Sequence, residues 1–363
     1  MILDIFSELQ KAKPWPPNHE KLVIDEAIEQ AKLADELGYG CWWNVEHHGA
    51  VEFSYSSTPE FIPVVLGLHT KRLRFGHSGI LAPFKINHPL RVAERAAFAD
   101  LVTGGRLEVG LARSGGTEWT AFGVDPDTSR AQLREALLML PRMWTEHSFK
   151  WESPLLSIPE RDVVPKPLQK PHPPLVISAS SPESARFAGE MKATMGMVLI
   201  SDLGMAKECI AVYKEAARAA GWEPAPENIL VGMHTCIAQT DERAQSLLGE
   251  AKAYFDRILM GGPRTAGKLV LQKTRYYQDE ANAGRMQQRL QKREAATLEQ
   301  QIAGGMVFCG SPQSVVGQMR RVHAELGNGV FNLTMQVGNL PDAVVRKGME
   351  LFRDRVLPEV RDL

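Results

Sequence analysis

The chain has 363 residues, of which 44% are hydrophobic and 23% are charged. This balance is typical of a globular protein with a sizeable core, and it excludes a disordered chain. Lys and Arg number 42 against 43 acidic residues, giving a net charge of −1, so the charge does not indicate binding to nucleic acid or to an anionic membrane. A small molecule is the expected ligand.

Targeting and redox signals are also absent from the sequence. Asp4 lies in the first residues, where a signal peptide would carry basic residues followed by a long apolar run, and no 18-residue apolar stretch follows. We therefore predict a cytoplasmic protein. Cys41, Cys209, Cys236 and Cys309 are far apart, which favours buried free thiols over a zinc site or a disulfide framework.

Apolar runs alternate with helical stretches along the chain, as at the helix that is expected to end before Gly38. Eight runs have the composition of buried parallel strands, at residues 2–6, 41–45, 73–80, 107–112, 175–178, 195–200, 229–237 and 330–337. Eight is the number that closes a (β/α)8 barrel, so the sequence predicts an α/β TIM barrel forming a single domain over residues 1–363. A doubly wound open sheet is the alternative that periodicity leaves open.

Two long segments interrupt this alternation. Residues 148–174 are rich in proline and are predicted to form an extended surface loop. Residues 254–306, between the seventh and eighth strands, are predicted to form a polar insertion with a helix at 287–301. Loops of this length are often functional, which favours a lid over the barrel mouth. A plain surface insertion is the alternative.

Residues just after the strands are the candidates for chemistry, because TIM-barrel active sites lie at the C-terminal ends of the strands. Glu46, His47 and His48 follow the second strand, and a histidine there could transfer a proton near neutral pH or be merely structural. Adjacent strand residues point to opposite faces, so the two histidines are not expected to share a metal ion, and no second histidine cluster follows. We predict no metal site.

Two further strand ends carry groups that suit a phosphate. Arg113 is followed by Ser-Gly-Gly, which offers a cation, a hydroxyl and backbone amides, although such a loop can also be simply solvated. Ser181 has the position of a helix N-cap, and Pro182 has that of the first helical residue. The free backbone amides of this helix would face the barrel mouth and could bind a phosphate, although an ordinary helix cap has the same pattern. Small residues at 76–80 would let a flat ligand approach. No Rossmann or P-loop string is present.

Six motifs in a fixed order resemble the bacterial luciferase-like flavin-dependent monooxygenases. These are Glu-His-His at residues 46–48, NHPLRVAE at 87–94, GGRLEVGLAR at 104–113, FGVDP at 122–126, PKPLQKPHPP at 165–174 and SSPES at 180–184. The resemblance implies a TIM barrel that binds reduced FMN at its mouth and uses O2 on an organic substrate. It also implies a separate NAD(P)H:flavin reductase and a homodimer packed through helices near the first strands.

The resemblance also assigns cofactor residues. Arg113 would hold the flavin phosphate, together with Ser180, Ser181 and Ser184. A cis, non-proline peptide after the third strand lies against the flavin ring in the family, and the matching bond is His77–Ser78, so both residues are predicted to contact FMN.

The same resemblance makes His47 the catalytic histidine, acting as an acid or a base. Trp42, Glu46, His48 and Phe53 are predicted to line a substrate pocket for an apolar compound.

The chain departs from the family pattern at two positions, where Gly49 replaces an aromatic residue and Ser114 stands where many members have Gly. Alternative functions are a deazaflavin-dependent oxidoreductase of the same fold, a non-catalytic flavin-binding protein and a metal-dependent barrel hydrolase.

Overall fold

The chain forms a closed barrel of eight parallel strands, according to a computed structural model that describes residues 1–272, 274–278, 284 and 296–363. The strands are β1 Ile2–Ser7, β2 Cys41–Asn44, β3 Arg74–His77, β4 Leu107–Ala112, β5 Leu175–Ser178, β6 Thr194–Met197, β7 Ile229–Ile237 and β8 Val330–Thr334. Each strand pairs with the next one along the chain, and β8 pairs with β1 to complete the ring. All eight predicted strands are confirmed, and the closure excludes an open sheet.

Helices surround the barrel. Within the described residues they are α1 His19–Leu37, α2 Phe61–Leu68, α3 Pro89–Val102, α4 Gly116–Phe122, α5 Pro126–Thr145, α6 Pro182–Glu190, α7 Leu203–Ala219, α8 Asp241–Tyr254, α9 Gly261–Leu271, α10 Arg275–Gln278, α11 Leu298–Ala303, α12 Pro312–Leu326, α13 Asp342–Arg355 and α14 Leu357–Val360. A π-helical turn, Phe255–Leu259, follows α8 directly. None of the described helices has the length and apolarity needed to cross a membrane.

Local sequence signals set several helix ends. Helix α1 ends at Gly38, whose φ of 81° is a left-handed conformation that glycine adopts without a steric penalty. Helix α3 begins at Pro89, and the His88 side chain caps it by accepting a hydrogen bond from the Leu90 amide. These are short-range effects, which is why the sequence predicts them.

The segment at 148–174 differs from its prediction. Its first half forms an antiparallel hairpin, Phe149–Glu152 with Ser157–Arg161, instead of an extended loop. Each strand of the hairpin carries one buried apolar side chain, Phe149 on the first and Ile158 on the second, and their burial stabilises the strands. The prediction of a strand-free loop was therefore wrong.

The segment between β7 and β8 is only partly described. A short strand that the sequence analysis missed, Val307–Gly310, pairs in parallel with β7 outside the ring. Most of the predicted helix at 287–301 lies outside the described residues, and α11 overlaps its C-terminal end. The insertion and its function as a lid stay predictions.

Apolar side chains, including the large ring of Trp43, occupy the barrel interior. Trp43 packs there in a cluster with the side chains of Phe6, Cys41, Val45, Val176, Leu230 and Val330. The Trp43 indole NH donates a hydrogen bond to the buried Asp4 carboxylate at 2.8 Å. Gly76 makes room for the ring, because a Cβ at that position would lie 2.1 Å from Trp43 Cε3. The interior is therefore filled by side chains, and a ligand must bind at the mouth.

Replacing Gly76 with alanine is expected to destabilise the protein by about 1–3 kcal/mol, since the new methyl group must displace a fully packed ring. Urea-induced unfolding of the two proteins measures the difference. Gly317→Ala is the matched control, because Gly317 lies within α12 and a Cβ there meets nothing within 4 Å. Alanine at that position should be neutral or mildly stabilising. Equal stability of the Gly76→Ala protein and the wild type would contradict this account of the core.

Candidate active site

A cavity of about 1280 Å³ opens at the C-terminal ends of the strands. Its walls come from the segments that follow β2 to β5, together with parts of α5, α6 and α7. Eight of the residues singled out from the sequence line it, and these are Glu46, His47, Phe53, Ser78, Arg113, Ser180, Ser181 and Ser184. Barrel closure therefore brings together strand ends that are far apart in the sequence.

His47 lies between two carboxylates. Its Nδ1 is 3.0 Å from Oε1 of Glu118, which is on α4, and its Nε2 is 3.5 Å from Oε2 of Glu8, which follows β1. Both carboxylates are largely buried, whereas 30% of the His47 side chain is exposed. The backbone amide of His47 also donates to the carbonyl of Ser56. The imidazole is thus hydrogen-bonded through Nδ1 and has a carboxylate oxygen near Nε2, at the cavity wall.

The charges around His47 shift the titration of all three groups. Burial acts to lower the pKa of His47, but the hydrogen bond to Glu118 and the charge of Glu8 outweigh it, and the pKa is raised. Burial raises the pKa of Glu8 to about 7, with the Glu118 charge adding to the effect and the His47 charge opposing it. For Glu118, burial acts upward, but the interaction with His47 prevails and lowers the pKa. A proton can therefore reside at this cluster near neutral pH.

An aromatic wall lies beside the histidine. The ring of Phe53 is 5.1 Å from that of His47 and 6.0 Å from that of Phe255, measured between centroids. Phe255 in turn contacts His234 edge-on at 4.9 Å. Met260, just beyond the π-helical turn, lines the cavity on the side of the partly described segment. This side of the cavity suits an apolar part of a ligand.

Glu46 has a structural position that the sequence analysis did not foresee. Its carboxylate accepts hydrogen bonds from the Leu81 amide at 2.7 Å and from the Asn87 side chain at 2.9 Å, and it lies 3.0 Å from Nε2 of His48. Through these contacts Glu46 joins β2 to the segment that precedes α3. His48 itself lines a separate cavity of about 270 Å³, where its ring meets Phe122. The two adjacent histidines thus face different cavities.

The loop after β4 contributes polar groups to the cavity wall. Arg113 lies over the ring of Trp119, and the Trp119 indole donates to the Arg113 carbonyl at 3.1 Å. Ser114 has a φ of 75°, a conformation that explains why glycine is common at this position in the family that the sequence resembles. Its Oγ is buried and has no hydrogen-bond partner among the described residues. An unsatisfied hydroxyl at a cavity wall is a ready donor to a ligand.

The segment after β5 forms the N-terminus of α6, as predicted. Ser181 is the N-cap, and its side chain and that of Ser184 form a reciprocal capping box with an Oγ–Oγ distance of 3.0 Å. Pro182 is the first helical residue. Ser180 is exposed and lines the cavity beside them.

Three predictions about individual residues need correction. The cis, non-proline bond is Ser78–Gly79, one residue later than predicted, because His77 still belongs to β3 in register with Asn44. The His77 side chain is fully buried, and burial lowers its pKa to about 4, so it is a neutral core residue that does not line the mouth. Trp42 is also fully buried, because it points away from the interior occupied by its neighbour Trp43.

Sequence reasoning missed Glu8, Glu118 and Arg130. Glu118 comes two residues after the Ser-Gly-Gly that follows Arg113, and its carboxylate could have been considered there. Glu8 follows the first strand by one residue, which is the same kind of signal. Arg130 projects from α5 to the cavity, where it forms an ion pair with Glu183, and nothing local in the sequence marks it. In the described part of the chain, no three His, Cys, Asp or Glu residues are grouped as metal ligands would be.

The chain is similar to proteins of one family. A family model described as luciferase-like monooxygenase matches residues 7–328. The oxygenase component of the flavin-dependent trigonelline monooxygenase of Acinetobacter baylyi is 28% identical over 244 residues, which are 65% of this chain and 66% of that protein. The F420-dependent hydroxymycolic acid dehydrogenase of Mycobacterium tuberculosis is 25% identical over 57% of this chain and 58% of its own. The match therefore spans 66% of the first of these relatives and 58% of the second.

A solved structure has the same fold. The oxygenating constituent of 3,6-diketocamphane monooxygenase from Pseudomonas putida, a type II Baeyer-Villiger monooxygenase in complex with FMN, superimposes with a TM-score of 0.80. The superposition covers 99% of this chain and 98% of that chain at 20% identity.

Proposed function

Because the chain belongs to the luciferase-like monooxygenase family, we propose that it is the oxygenase component of a flavin-dependent monooxygenase that uses reduced FMN and O2 on an organic substrate. The observation that supports this most strongly is the composition of the large cavity. Its lining includes Arg113 and Ser114, whose hydroxyl is unsatisfied, and it also includes His47, which lies between two carboxylates. A cofactor phosphate and a reacting centre can therefore occupy one site.

The residues present fit FMN. Arg113, Ser114 and the serines at 180, 181 and 184 would hold the phosphate, since hydroxyls in a capping box can still donate to or accept from a ligand. Ser78 and the adjoining backbone of Gly79 would lie beside the flavin ring, where a Cβ on Gly79 would meet the backbone of Leu111 at 2.7 Å. When bound, reduced FMN would supply the electrons and the site of reaction with O2.

The remaining residues have roles toward the substrate. His47 acts as the proton-transferring group, because both of its ring nitrogens are oriented at the cavity wall. Phe53, which packs on the buried Phe255, and Met260 provide an apolar surface that excludes water and suits an apolar substrate. Reduced FMN comes from a separate NAD(P)H:flavin reductase, in keeping with a relative that is named as an oxygenase component.

Anaerobic titration of the protein with reduced FMN, followed by rapid mixing with O2, tests this function. We expect saturable binding and, after mixing, a transient absorbance band that differs from those of reduced and oxidised FMN. Absence of reduced-FMN binding would refute the proposal. Tight binding of the deazaflavin coenzyme in its place would assign the chain to the oxygen-independent members, such as the F420-dependent relative.

We also propose a homodimer that covers an apolar face on α2 and α3. Phe61 and Leu68 on α2 are 60% and 71% exposed, and Phe98 and Leu101 on α3 are 56% and 42% exposed. A patch of four large apolar residues on two neighbouring helices is unusual on a monomer's surface. Light scattering coupled to size-exclusion chromatography should give twice the chain mass, and the double variant Phe61→Glu/Phe98→Glu should give the monomer. A monomeric wild type would contradict this proposal.

A further inference from the structure

The two carboxylates around His47 decide which proton-transfer role it can have. The Nδ1–Glu118 distance of 3.0 Å is that of a hydrogen bond, in which Nδ1 must be the donor because Glu118 has a lowered pKa and is ionised near neutral pH. This leaves Nε2 facing Oε2 of Glu8 at 3.5 Å. The Nδ1 proton is therefore committed to Glu118, and only a proton at Nε2 is available for transfer.

The Glu8 side of the ring also needs a proton. A neutral imidazole with its proton on Nδ1 would point the Nε2 lone pair at a carboxylate oxygen, and that contact is repulsive if Glu8 is ionised. Glu8 Oε2 is buried and has no hydrogen-bond partner among the described residues, so nothing else stabilises its charge. At neutral pH one proton must therefore lie on either Nε2 or Glu8, in addition to the proton on Nδ1.

The surrounding charges favour the imidazole as the carrier. Three elements contribute a carboxylate that acts on His47, namely Glu118 from α4, Glu8 from the segment after β1 and Glu46 from the same loop as His47. The ring otherwise packs against the uncharged Phe53. The neighbouring His48 is directed to Glu46 and the second cavity.

We propose that Glu8 and Glu118 are positioning residues that keep His47 doubly protonated at neutral pH, so that it enters the reaction as a proton donor. The inference rests on the proposed function for the reaction that receives the proton. In that step the Nε2–H bond breaks, the proton goes to an oxygen atom of the reacting species, and a neutral imidazole remains bonded to Glu118 through Nδ1. Solvent then returns the proton to the His47–Glu8 pair.

The test is an NMR titration of the flavin-free protein with isotopically labelled histidine, in which a His47→Gln sample assigns the His47 signals. We expect His47 to titrate above the ordinary value of 6.5 and to show a downfield Nδ1 proton. Glu118→Gln should lower the midpoint by about one pH unit or more and remove the downfield signal, and Glu8→Gln should lower the midpoint while keeping that signal.

A wild-type His47 that titrates at or below 6.5, or a midpoint that neither Glu variant moves, would overturn the inference. If Glu118→Gln does not fold, Glu118→Asp takes its place, and its midpoint should fall below that of the wild type because the shorter side chain withdraws the carboxylate from Nδ1. An unchanged midpoint in a folded Glu118→Asp protein would count against a positioning role of Glu118. This experiment uses no flavin. If the protein does not bind reduced FMN but His47 has a raised midpoint, only the proposed function is refuted. If the protein binds reduced FMN but His47 titrates at or below 6.5, only this inference is refuted.

Discussion

Arg113→Ala is expected to weaken FMN binding by roughly 30- to 150-fold. Arg113 lines the cavity beside Ser114, whose hydroxyl is unsatisfied, and a hydrogen bond from a guanidinium to a phosphate contributes about 2–3 kcal/mol. Fluorescence or absorbance titration of the wild type and the variant measures the two dissociation constants. The dissociation constant of Arg113→Lys should lie between those of the wild type and Arg113→Ala, because lysine keeps the charge but loses the bidentate geometry.

Riboflavin is the control ligand for this experiment, since it carries the same ring without the phosphate. Its affinity should change little in Arg113→Ala. Equal losses for FMN and riboflavin would mean that the substitution has disturbed the loop, for example through the lost contact with Trp119, and would contradict a phosphate-binding role. Unchanged FMN affinity would contradict it as well.

The second large effect is a loss of stability as the pH rises from about 5 to 8. Asp4 is buried inside the barrel, and burial raises its pKa from 3.8 to about 8, against the hydrogen bond from Trp43. Between these values the folded state binds a proton that the unfolded state has released, so the free energy of unfolding falls by about 1.4 kcal/mol per pH unit for this group.

His77, whose pKa burial lowers to about 4, and His88, whose pKa burial also lowers, oppose this decline below about pH 6.5, because the unfolded chain binds a proton that the folded histidine lacks. Two other groups add to the decline. Glu8 acts in the same direction between 4.5 and about 7, and His47, whose pKa is raised, loses its contribution as the pH rises through its folded-state pKa.

Glu118 and Asp256 have lowered pKa values in the folded protein, so their contribution to the free energy of unfolding grows with pH only up to about their ordinary pKa values of 4.5 and 3.8. Their contribution is therefore already complete above about pH 5.

Urea unfolding of the wild type and Asp4→Asn at pH 5, 6, 7 and 8 tests this account. The variant should show a clearly shallower decline with pH, because asparagine does not titrate. Its stability at pH 5 should be lower by about 1 kcal/mol, since Asp4 accepts hydrogen bonds from both the Cys41 amide and the Trp43 indole and asparagine has one oxygen to offer. Parallel pH profiles for the two proteins would exclude Asp4 as the source.

The sequence predicts the strands well and the side-chain directions poorly. Apolar runs identify the strand that contains Trp42 and Trp43, but they do not say which ring faces the interior. A shift of one residue in register exchanges the two faces, and that register depends on pairing with β1 and β3. Trp42 was placed in the pocket for this reason, although it packs on the outer side of the barrel. The cis bond was misplaced by one residue for a related reason, since the end of β3 is set by its pairing with β2.

What the sequence by itself determined is local: eight apolar runs, the caps at Gly38, Pro89 and Ser181, and the strand-end motif that contains His47. These follow from the conformational preferences of a few neighbouring residues. Only the tertiary structure decided that Glu8 and Glu118 meet at His47, because these carboxylates are 39 and 71 positions from His47 along the chain and reach it only when the barrel closes. The tertiary structure also directs His48 into a different cavity from His47 and buries His77. Both outcomes depend on the loops and helices that pack around these side chains.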